Sequence, residues 1–187
     1  YGDTEVFPTP ETLEPNPLSP YGLQKLIGEQ YCKVFSICYG METVSLRYFN
    51  VFGPNQYGDS PYSTAVSAWC HATKDGLECR SDGDGTQSRD MCYVSNVVDA
   101  NMLAGFKDRK FKGECYNIAC NDSVTNGDIL TYFINNFSAK VRNAPWRLGD
   151  VMHTRADISK AKEELGYEPK VKFWDGLERT VKWWGLK

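Results

Sequence analysis

The 187-residue sequence predicts a mixed α/β fold, and three observations support this prediction. Between Tyr21 and Tyr39, apolar side chains recur at helical spacing, and Gly40 provides a C-terminal stop. The run 42–49 is rich in β-branched and aromatic residues, which is typical of a buried strand. Beyond residue 50, shorter helical and strand-like patterns alternate without an internal repeat. This alternation favours helices packed against a sheet.

Local signals set the boundaries of the predicted elements. Ser19 is a suitable N-cap for the first helix, and Pro20 occupies the first turn, where proline is favoured. Five prolines from residue 8 to residue 20 predict an extended loop that leads into this helix. The remaining elements are predicted in this order: a helix over 62–74, a strand near 77–80, a strand over 91–94, a helix from an N-cap at Ser95 to 106, a strand over 114–119, a helix from an N-cap at Thr125 to 137, a helix over 158–165 capped by Asp157, and a final helix from 174 or 175.

Composition limits the classes of function. An apolar share of 41% and an aromatic share of 13% argue against intrinsic disorder. The 21 basic and 24 acidic residues give a net charge of −3, so the chain has no overall basic field for nucleic acid or for an anionic membrane. No apolar run approaches the roughly 18 residues that a membrane span needs. We therefore expect neither nucleic acid nor a membrane as a partner.

Cysteine and histidine usage bears on the compartment and on metal binding. The seven cysteines are odd in number and contain no C-x-x-C pair, which favours reduced thiols in a cytoplasmic protein over a secreted disulfide scaffold. The chain has two histidines, His71 and His153, and no paired cysteines near them. We therefore predict no metal site.

Tyr21 and Lys25 form the first candidate for chemistry. They stand at positions i and i+4, so the phenol and the ammonium share one face of the predicted helix. A lysine cation in that place stabilises a tyrosinate, which is the form that acts as a general base. The pattern alone is weak, because tyrosine and lysine are abundant here and a surface pair is the ordinary interpretation.

Several segments in a fixed order give this pair a context. They include Ser19–Glu29 (SPYGLQKLIGE), Leu46–Pro54 (LRYFNVFGP), Gly83–Asp90 (GDGTQSRD) and Ala156–Tyr167 (ADISKAKEELGY). With these segments the sequence resembles the extended short-chain dehydrogenase/reductase superfamily, and within it the NAD-dependent nucleotide-sugar 4-epimerases that act on UDP-glucose or UDP-N-acetylglucosamine. The resemblance spans essentially the whole chain.

The resemblance implies a specific architecture. Residues 1–55 would form the last part of a Rossmann-type, doubly wound dinucleotide-binding domain and carry the catalytic Tyr-x-x-x-Lys helix. Residues 56–187 would form mainly a smaller mixed α/β domain that binds the sugar nucleotide, with some segments returning to the core. No G-x-x-G-x-x-G occurs, and the chain opens on Tyr1-Gly2-Asp3. We therefore expect a C-terminal portion that lacks the glycine-rich NAD half and the family's catalytic Ser/Thr, and that is inactive alone.

The resemblance also implies roles for individual residues. Tyr21 and Lys25 would be catalytic, and both would bind the NAD cofactor together with Tyr48 and Phe49. The residues implied to bind the substrate are Asn50, Arg89, Arg147, Asp150 and Thr154. Two arginines from distant positions suit a diphosphate because each guanidinium offers forked donors.

Within the substrate group the implied contacts differ. Asn50 would contact the phosphate, Asp150 would hold the nucleotide ribose, and Thr154 would face the substituent at C2 of the sugar. Without the resemblance, Arg89 and Arg147 are interpreted as surface ion pairs. Thr154 is then a loop residue turned away from the site.

The function that the resemblance implies is NAD-dependent epimerisation at C4 of a UDP-sugar through a 4-keto intermediate. Two alternatives remain: a nucleotide-sugar 4,6-dehydratase, and a truncated, non-catalytic chain that binds at most the sugar nucleotide. The intact protein is expected to be a homodimer. A helix face for such a dimer is available at Leu23, Ile27, Gln30 and Val34.

Overall fold

The computed structural model describes residues 1–60, 62–147 and 149–187. The helices are α1 (Pro20–Tyr39), α2 (Ala65–Lys74), α3 (Val94–Gly105), α4 (Asn126–Phe137), α5 (Ser159–Leu165) and α6 (Phe173–Trp184). The strands are β1 (Val44–Tyr48), β2 (Val51–Phe52), β3 (Cys79–Asp82), β4 (Ser88–Arg89), β5 (Cys92–Tyr93), β6 (Glu114–Ile118), β7 (Val124–Thr125) and β8 (Val141–Ala144). The predicted mixed α/β class is confirmed.

The strands are joined in pairs. Three of the pairs are parallel: β1 with β6, β2 with β5, and β3 with β8. The fourth pair, β4 with β7, is antiparallel. Parallel neighbours require crossover connections, and α2, α3 and α4 lie in the segments that separate these strands. None of the helices is long and apolar enough to cross a membrane, within the part of the chain that the structure describes.

The ends of α1 follow the predicted signals. The Ser19 hydroxyl accepts a hydrogen bond from the Gly22 N–H at 3.1 Å and so caps the helix. Gly40 closes it in the left-handed conformation with φ of 65°, which favours glycine. No residue of α1 is buried, although the helix carries many apolar side chains.

Two hydrophobic clusters support the rest of the molecule. The first cluster joins α2, α4 and α6, and its largest fully buried side chains are Phe52, Phe133, Ile129 and Leu177. The second joins β6, α3 and α5, and its largest are Tyr116, Tyr167, Ile118 and Leu165. β5 connects them because Tyr93 belongs to the first cluster and Cys92 to the second.

Several predicted boundaries were wrong, among them the start of α5, where the N-cap is Ile158 and not Asp157. The helix predicted from residue 62 begins at Ala65, because Thr64 and Ser63 bond to Gln56 and Tyr57 of the preceding loop. The strand predicted near 77–80 covers Cys79–Asp82, because the Leu77 N–H closes the end of α2 on the Ala72 carbonyl instead.

A further error concerns Ser95, which lies in the first turn of α3 and does not cap it. The N-cap is Tyr93, which makes no capping side-chain bond. Tyr93 is already extended because it pairs with Phe52 in the β2–β5 ladder. In contrast, the Thr125 cap of α4 is confirmed, since its hydroxyl accepts from the Asp128 N–H at 3.0 Å.

Asp90, between β4 and β5, is completely buried. Its carboxylate accepts hydrogen bonds from the N–H groups of Cys120 at 2.8 Å and Ala156 at 3.0 Å. These bonds connect the end of β6 to the segment that leads into α5. Burial raises the pKa of Asp90 to about 6, although the backbone donors act in the opposite direction.

Replacement of Asp90 by alanine is expected to lower the free energy of unfolding by about 2–4 kcal/mol, because two buried N–H groups lose their acceptor. The folded-state pKa of about 6 lies above the value of roughly 4 for an unfolded aspartate, so folding takes up a proton between them. The contribution of this pKa shift to the free energy of unfolding is fully present below about pH 4, and it is lost as the pH rises through about 6. Urea unfolding should therefore show a larger effect of the substitution at pH 5 than at pH 7.5.

Asp157→Ala is the matched control. It removes one exposed bond, from the Ser159 N–H to the Asp157 carboxylate at 2.8 Å, and should cost only about 1 kcal/mol. A loss at Asp90 no larger than the loss at Asp157 would contradict the role of the buried carboxylate.

Candidate active site

Tyr21 and Lys25 lie together in the first turns of α1. The Lys25 ammonium nitrogen is 5.2 Å from the centre of the Tyr21 ring. The ring of Tyr62 stacks on Tyr21, with 5.3 Å between centroids and 29° between planes. Tyr21 is 51% exposed, so its side chain remains accessible to a ligand. The structure thus forms the pair that the spacing predicts and adds Tyr62, which the sequence analysis missed.

An ion pair fixes α1 against β1. The Arg47 guanidinium donates to both carboxylate oxygens of Glu29, through Nε and Nη2 at 2.7 Å each. Burial opposes the charge on Arg47, but its bonds to Glu29 and to the Tyr1 phenol raise the pKa of the guanidinium further. Glu29 follows Lys25 by four residues, so this bidentate contact holds the helix face that also carries Tyr21 and Lys25.

The segment after β1 brings its backbone to the carboxyl end of the strand. The Phe49 N–H donates to the Ile118 carbonyl at 3.1 Å, and the Asn50 carbonyl accepts from the Cys92 N–H at 3.1 Å. The Tyr48 hydroxyl donates to Asn101 of α3 at 2.9 Å. This bond holds the Tyr48 side chain against α3.

Asn50 and Thr154 meet although 104 positions separate them. The Thr154 hydroxyl oxygen accepts from the Asn50 amide at 3.4 Å and from the Asp90 N–H at 3.0 Å. Both acceptor positions of the hydroxyl are filled, so its own proton is left as a donor. Among the described residues (1–60, 62–147, 149–187), no hydrogen bond joins this pair to Tyr21 or Lys25.

Arg89 and Asp150 form a second contact between distant segments. The Arg89 Nη2 donates to the Asp150 carboxylate at 2.8 Å, and its Nη1 donates to the carbonyls of Ser88 and Met152 at 2.9 and 3.1 Å. These bonds engage three of the five N–H groups of the guanidinium. Its Nε–H and one Nη2 hydrogen have no acceptor within the part of the chain that the structure describes.

Arg147 does not share the partners of Arg89. Its Nε lies 2.7 Å from the Asp82 carboxylate, and its side chain is 52% exposed. Its backbone nevertheless adjoins the Arg89 group, because the Asp150 N–H donates to the Arg147 carbonyl at 3.3 Å. The two predicted diphosphate ligands thus flank one loop, and each is paired with a carboxylate.

Comparison with known families gives this geometry its chemical context. Residues 1–119 match the NAD dependent epimerase/dehydratase family. The chain belongs to this family. The resemblance seen in the sequence is thereby confirmed, and so is the predicted Rossmann-type α/β class, because family members of known structure superimpose closely.

Three members of the family illustrate the similarity. A putative UDP-glucose 4-epimerase from Methanocaldococcus jannaschii is 35% identical over 188 residues, covering 98% of this chain. The structure of UDP-glucose 4-epimerase from Thermotoga maritima with UDP-glucose gives a TM-score of 0.91 at 36% identity, over 99% of this chain. UDP-N-acetylglucosamine 4-epimerase from Methanobrevibacter ruminantium, in complex with UDP-N-acetylmuramic acid, gives 0.88 at 34% identity, over 98% of this chain. The chain spans 59% of the length of each of these three proteins.

The predicted roles of the individual residues remain predictions, and so does the division at residue 55. The dimer face also remains a prediction, although its apolar members Leu23, Ile27 and Val34 are all about half exposed.

Asp82 was not singled out in the sequence. The only signal for it is its place two residues after Arg80, on the same side of a strand.

Proposed function

We propose that this chain provides the acid–base pair and the sugar-nucleotide site of an NAD-dependent 4-epimerase acting on a UDP-sugar. The observation that supports this most is the Tyr21–Lys25 pair at the start of α1, within a chain that belongs to the epimerase/dehydratase family. The similarity to UDP-sugar 4-epimerases supports the proposed reaction class and substrate class.

The residues present fit one end of the cofactor. Lys25 makes no ion pair among the described residues, so its ammonium is available for the hydroxyls of a nicotinamide ribose. Tyr21 and the backbone of Tyr48 and Phe49 would complete this end. The sequence has no G-x-x-G-x-x-G to hold the pyrophosphate at a helix N-terminus. When bound, NAD accepts the hydride from C4 of the sugar and later returns it.

Tyr21 performs the proton transfer. As a tyrosinate stabilised by Lys25, it takes the proton from the 4-hydroxyl while the C4–O bond becomes a carbonyl. The 4-keto sugar then turns about its diphosphate and presents its other face. Tyr21 returns the proton to the oxygen as the alcohol re-forms with inverted configuration at C4.

The substrate is held by its nucleotide end during this rotation. The unengaged N–H groups of Arg89 and the terminal nitrogens of Arg147 bind the diphosphate, and Asn50 contacts a phosphate oxygen. Asp150 holds the ribose. Thr154 directs its remaining hydroxyl proton toward the substituent at C2 of the sugar.

The test is turnover in a chimera that joins this chain to the part of the Thermotoga maritima epimerase that it does not cover. Conversion of UDP-glucose to UDP-galactose, or of the N-acetyl forms, supports the proposal. A chimera that folds and binds NAD but converts none of these substrates would contradict it.

The 187-residue chain alone should bind NAD weakly or not at all. Only the nicotinamide-ribose end of the cofactor site is present, and the pyrophosphate cradle is missing from the sequence. Calorimetric titration of NAD into the chain should therefore show no binding in the micromolar range, whereas the chimera should bind it. Micromolar binding by the chain alone would mean that the cofactor site is more complete than proposed.

A further inference from the structure

A group of arginines lies on the exposed face of the β3–β8 pair. Arg80 of β3 stands in register with Arg142 of β8, and paired residues of parallel strands project from the same face. On β3 the buried residues are Cys79 and Ser81, so Arg80 and Asp82 occupy the outer face. Two arginines therefore stand side by side on adjacent strands.

Asp82 connects this face to Arg147. One of its carboxylate oxygens accepts from the Arg80 Nε at 2.7 Å, and the other lies 2.7 Å from the Arg147 Nε. Each guanidinium is thus engaged at Nε, which leaves its terminal nitrogens directed away from the carboxylate. The Arg80 and Arg147 side chains are 46% and 52% exposed, so these nitrogens are accessible.

The charge on this face is unbalanced. Three arginines lie close together here, and the carboxylate of Asp82 pairs with only two of them, Arg80 and Arg147. Arg142 makes no ion pair among the residues that the structure describes. Like charges directly opposite each other on neighbouring strands are destabilising, so a bound anion would relieve the repulsion between Arg80 and Arg142.

The position of Arg147 suits a ligand of the proposed site, and Arg80 is joined to Arg147 through Asp82. β3 and β8 are parallel, and ligands of parallel sheets bind beyond the carboxyl ends of the strands. Asp82 and Ala144 are at those ends, and Arg147 lies in the loop that follows β8. The same loop reaches Asp150, which pairs with Arg89.

We propose that Arg80 and Arg142, together with Arg147, form an anion subsite that binds the diphosphate of the nucleotide, and that Asp82 is the carboxylate that positions Arg80 and Arg147. The inference rests on the proposed function and adds to it two cationic ligands and one positioning residue. Arg80 and Arg147 supply forked donors to the phosphate oxygens, and Arg142 supplies charge.

The experiment is calorimetric titration of UDP and of inorganic pyrophosphate into the 187-residue chain at low ionic strength. Arg80→Gln should weaken both ligands about tenfold, the equivalent of one charge-assisted hydrogen bond. Arg142→Gln should weaken them about threefold, and Arg142→Lys should restore most of the affinity. Lys162→Gln is the matched control, because it removes one charge from an exposed pair with Glu168 and should leave both affinities unchanged.

The outcomes separate this inference from the proposed function. If UDP binds and depends on Arg89 but not on Arg80 or Arg142, the subsite is wrong and the proposed function stands. If pyrophosphate binds in an Arg80-dependent way but UDP does not bind, the subsite stands and the nucleotide assignment fails. Absence of binding of both ligands overturns the inference. Should Arg80→Gln unfold, the two Arg142 variants decide, since Arg142 holds no ion pair with any described residue that its replacement would break.

Discussion

Tyr21→Phe is expected to lower the turnover number of the chimera by a factor of about 10³, within the range that general acid–base catalysis contributes. The phenyl ring can keep its stacking on Tyr62, so the change removes the hydroxyl with little effect on the packing of α1. Because the hydroxyl acts in proton transfer and not in binding, KM for the UDP-sugar should change little. Initial rates of epimerisation over a range of substrate concentrations measure both constants.

Tyr31→Phe provides the control for this substitution. Tyr31 lies on the same helix and is 62% exposed, and it belongs to no part of the proposed site. Its replacement should leave both constants unchanged. A Tyr21→Phe chimera that keeps more than about a tenth of the turnover would show that another group carries the proton.

The parts of the site that sequence could predict are local. The Tyr21–Lys25 pair depends only on a separation of four residues in a helix, and the Ser19 and Gly40 caps depend on the identity of single residues. These features need no knowledge of the tertiary structure. The structure therefore reproduces them closely.

The contacts between distant segments could not be predicted from residue patterns. Asn50 and Thr154 were both assigned to the substrate through the resemblance, but nothing in the sequence indicates that one side chain donates to the other. The stacking of Tyr62 on Tyr21 depends on the path of an irregular loop. Strand β8 was not predicted, because Arg142 and Asn143 interrupt the alternation of apolar and polar residues that marks a strand. It forms by pairing with β3.

The pairing of the arginines is a related case. Sequence suggested that Arg89 and Arg147 bracket a ligand, and it also allowed surface ion pairs. The structure shows ion pairs for both, with Asp150 and Asp82, and leaves donors on each guanidinium. The two interpretations are therefore compatible, since a carboxylate that engages part of a guanidinium also orients the rest.

The size of residue 154 is expected to determine which sugars the chimera accepts. Threonine is small, so an acetamido group at C2 has room, and the remaining hydroxyl proton can bond to the amide oxygen. The chimera should therefore epimerise UDP-N-acetylglucosamine at least as well as UDP-glucose. Comparison of kcat/KM for the two substrates tests this expectation.

Thr154→Tyr should lower the ratio of kcat/KM for UDP-N-acetylglucosamine to that for UDP-glucose by roughly 10- to 100-fold, because the larger side chain occupies the space of the acetamido group. The ratio is compared, and not each value alone, because tyrosine also removes the hydroxyl that accepts from the Asp90 N–H. That loss should lower kcat/KM for both substrates. Thr154→Val separates these effects, because valine has the volume of threonine but lacks the acceptor for the Asp90 N–H. It should therefore lower kcat/KM for both substrates without the change in their ratio that the larger tyrosine side chain causes. If the tyrosine variant changes the ratio no more than the valine variant does, or lowers only the value for UDP-glucose, residue 154 does not control the size of the substrate.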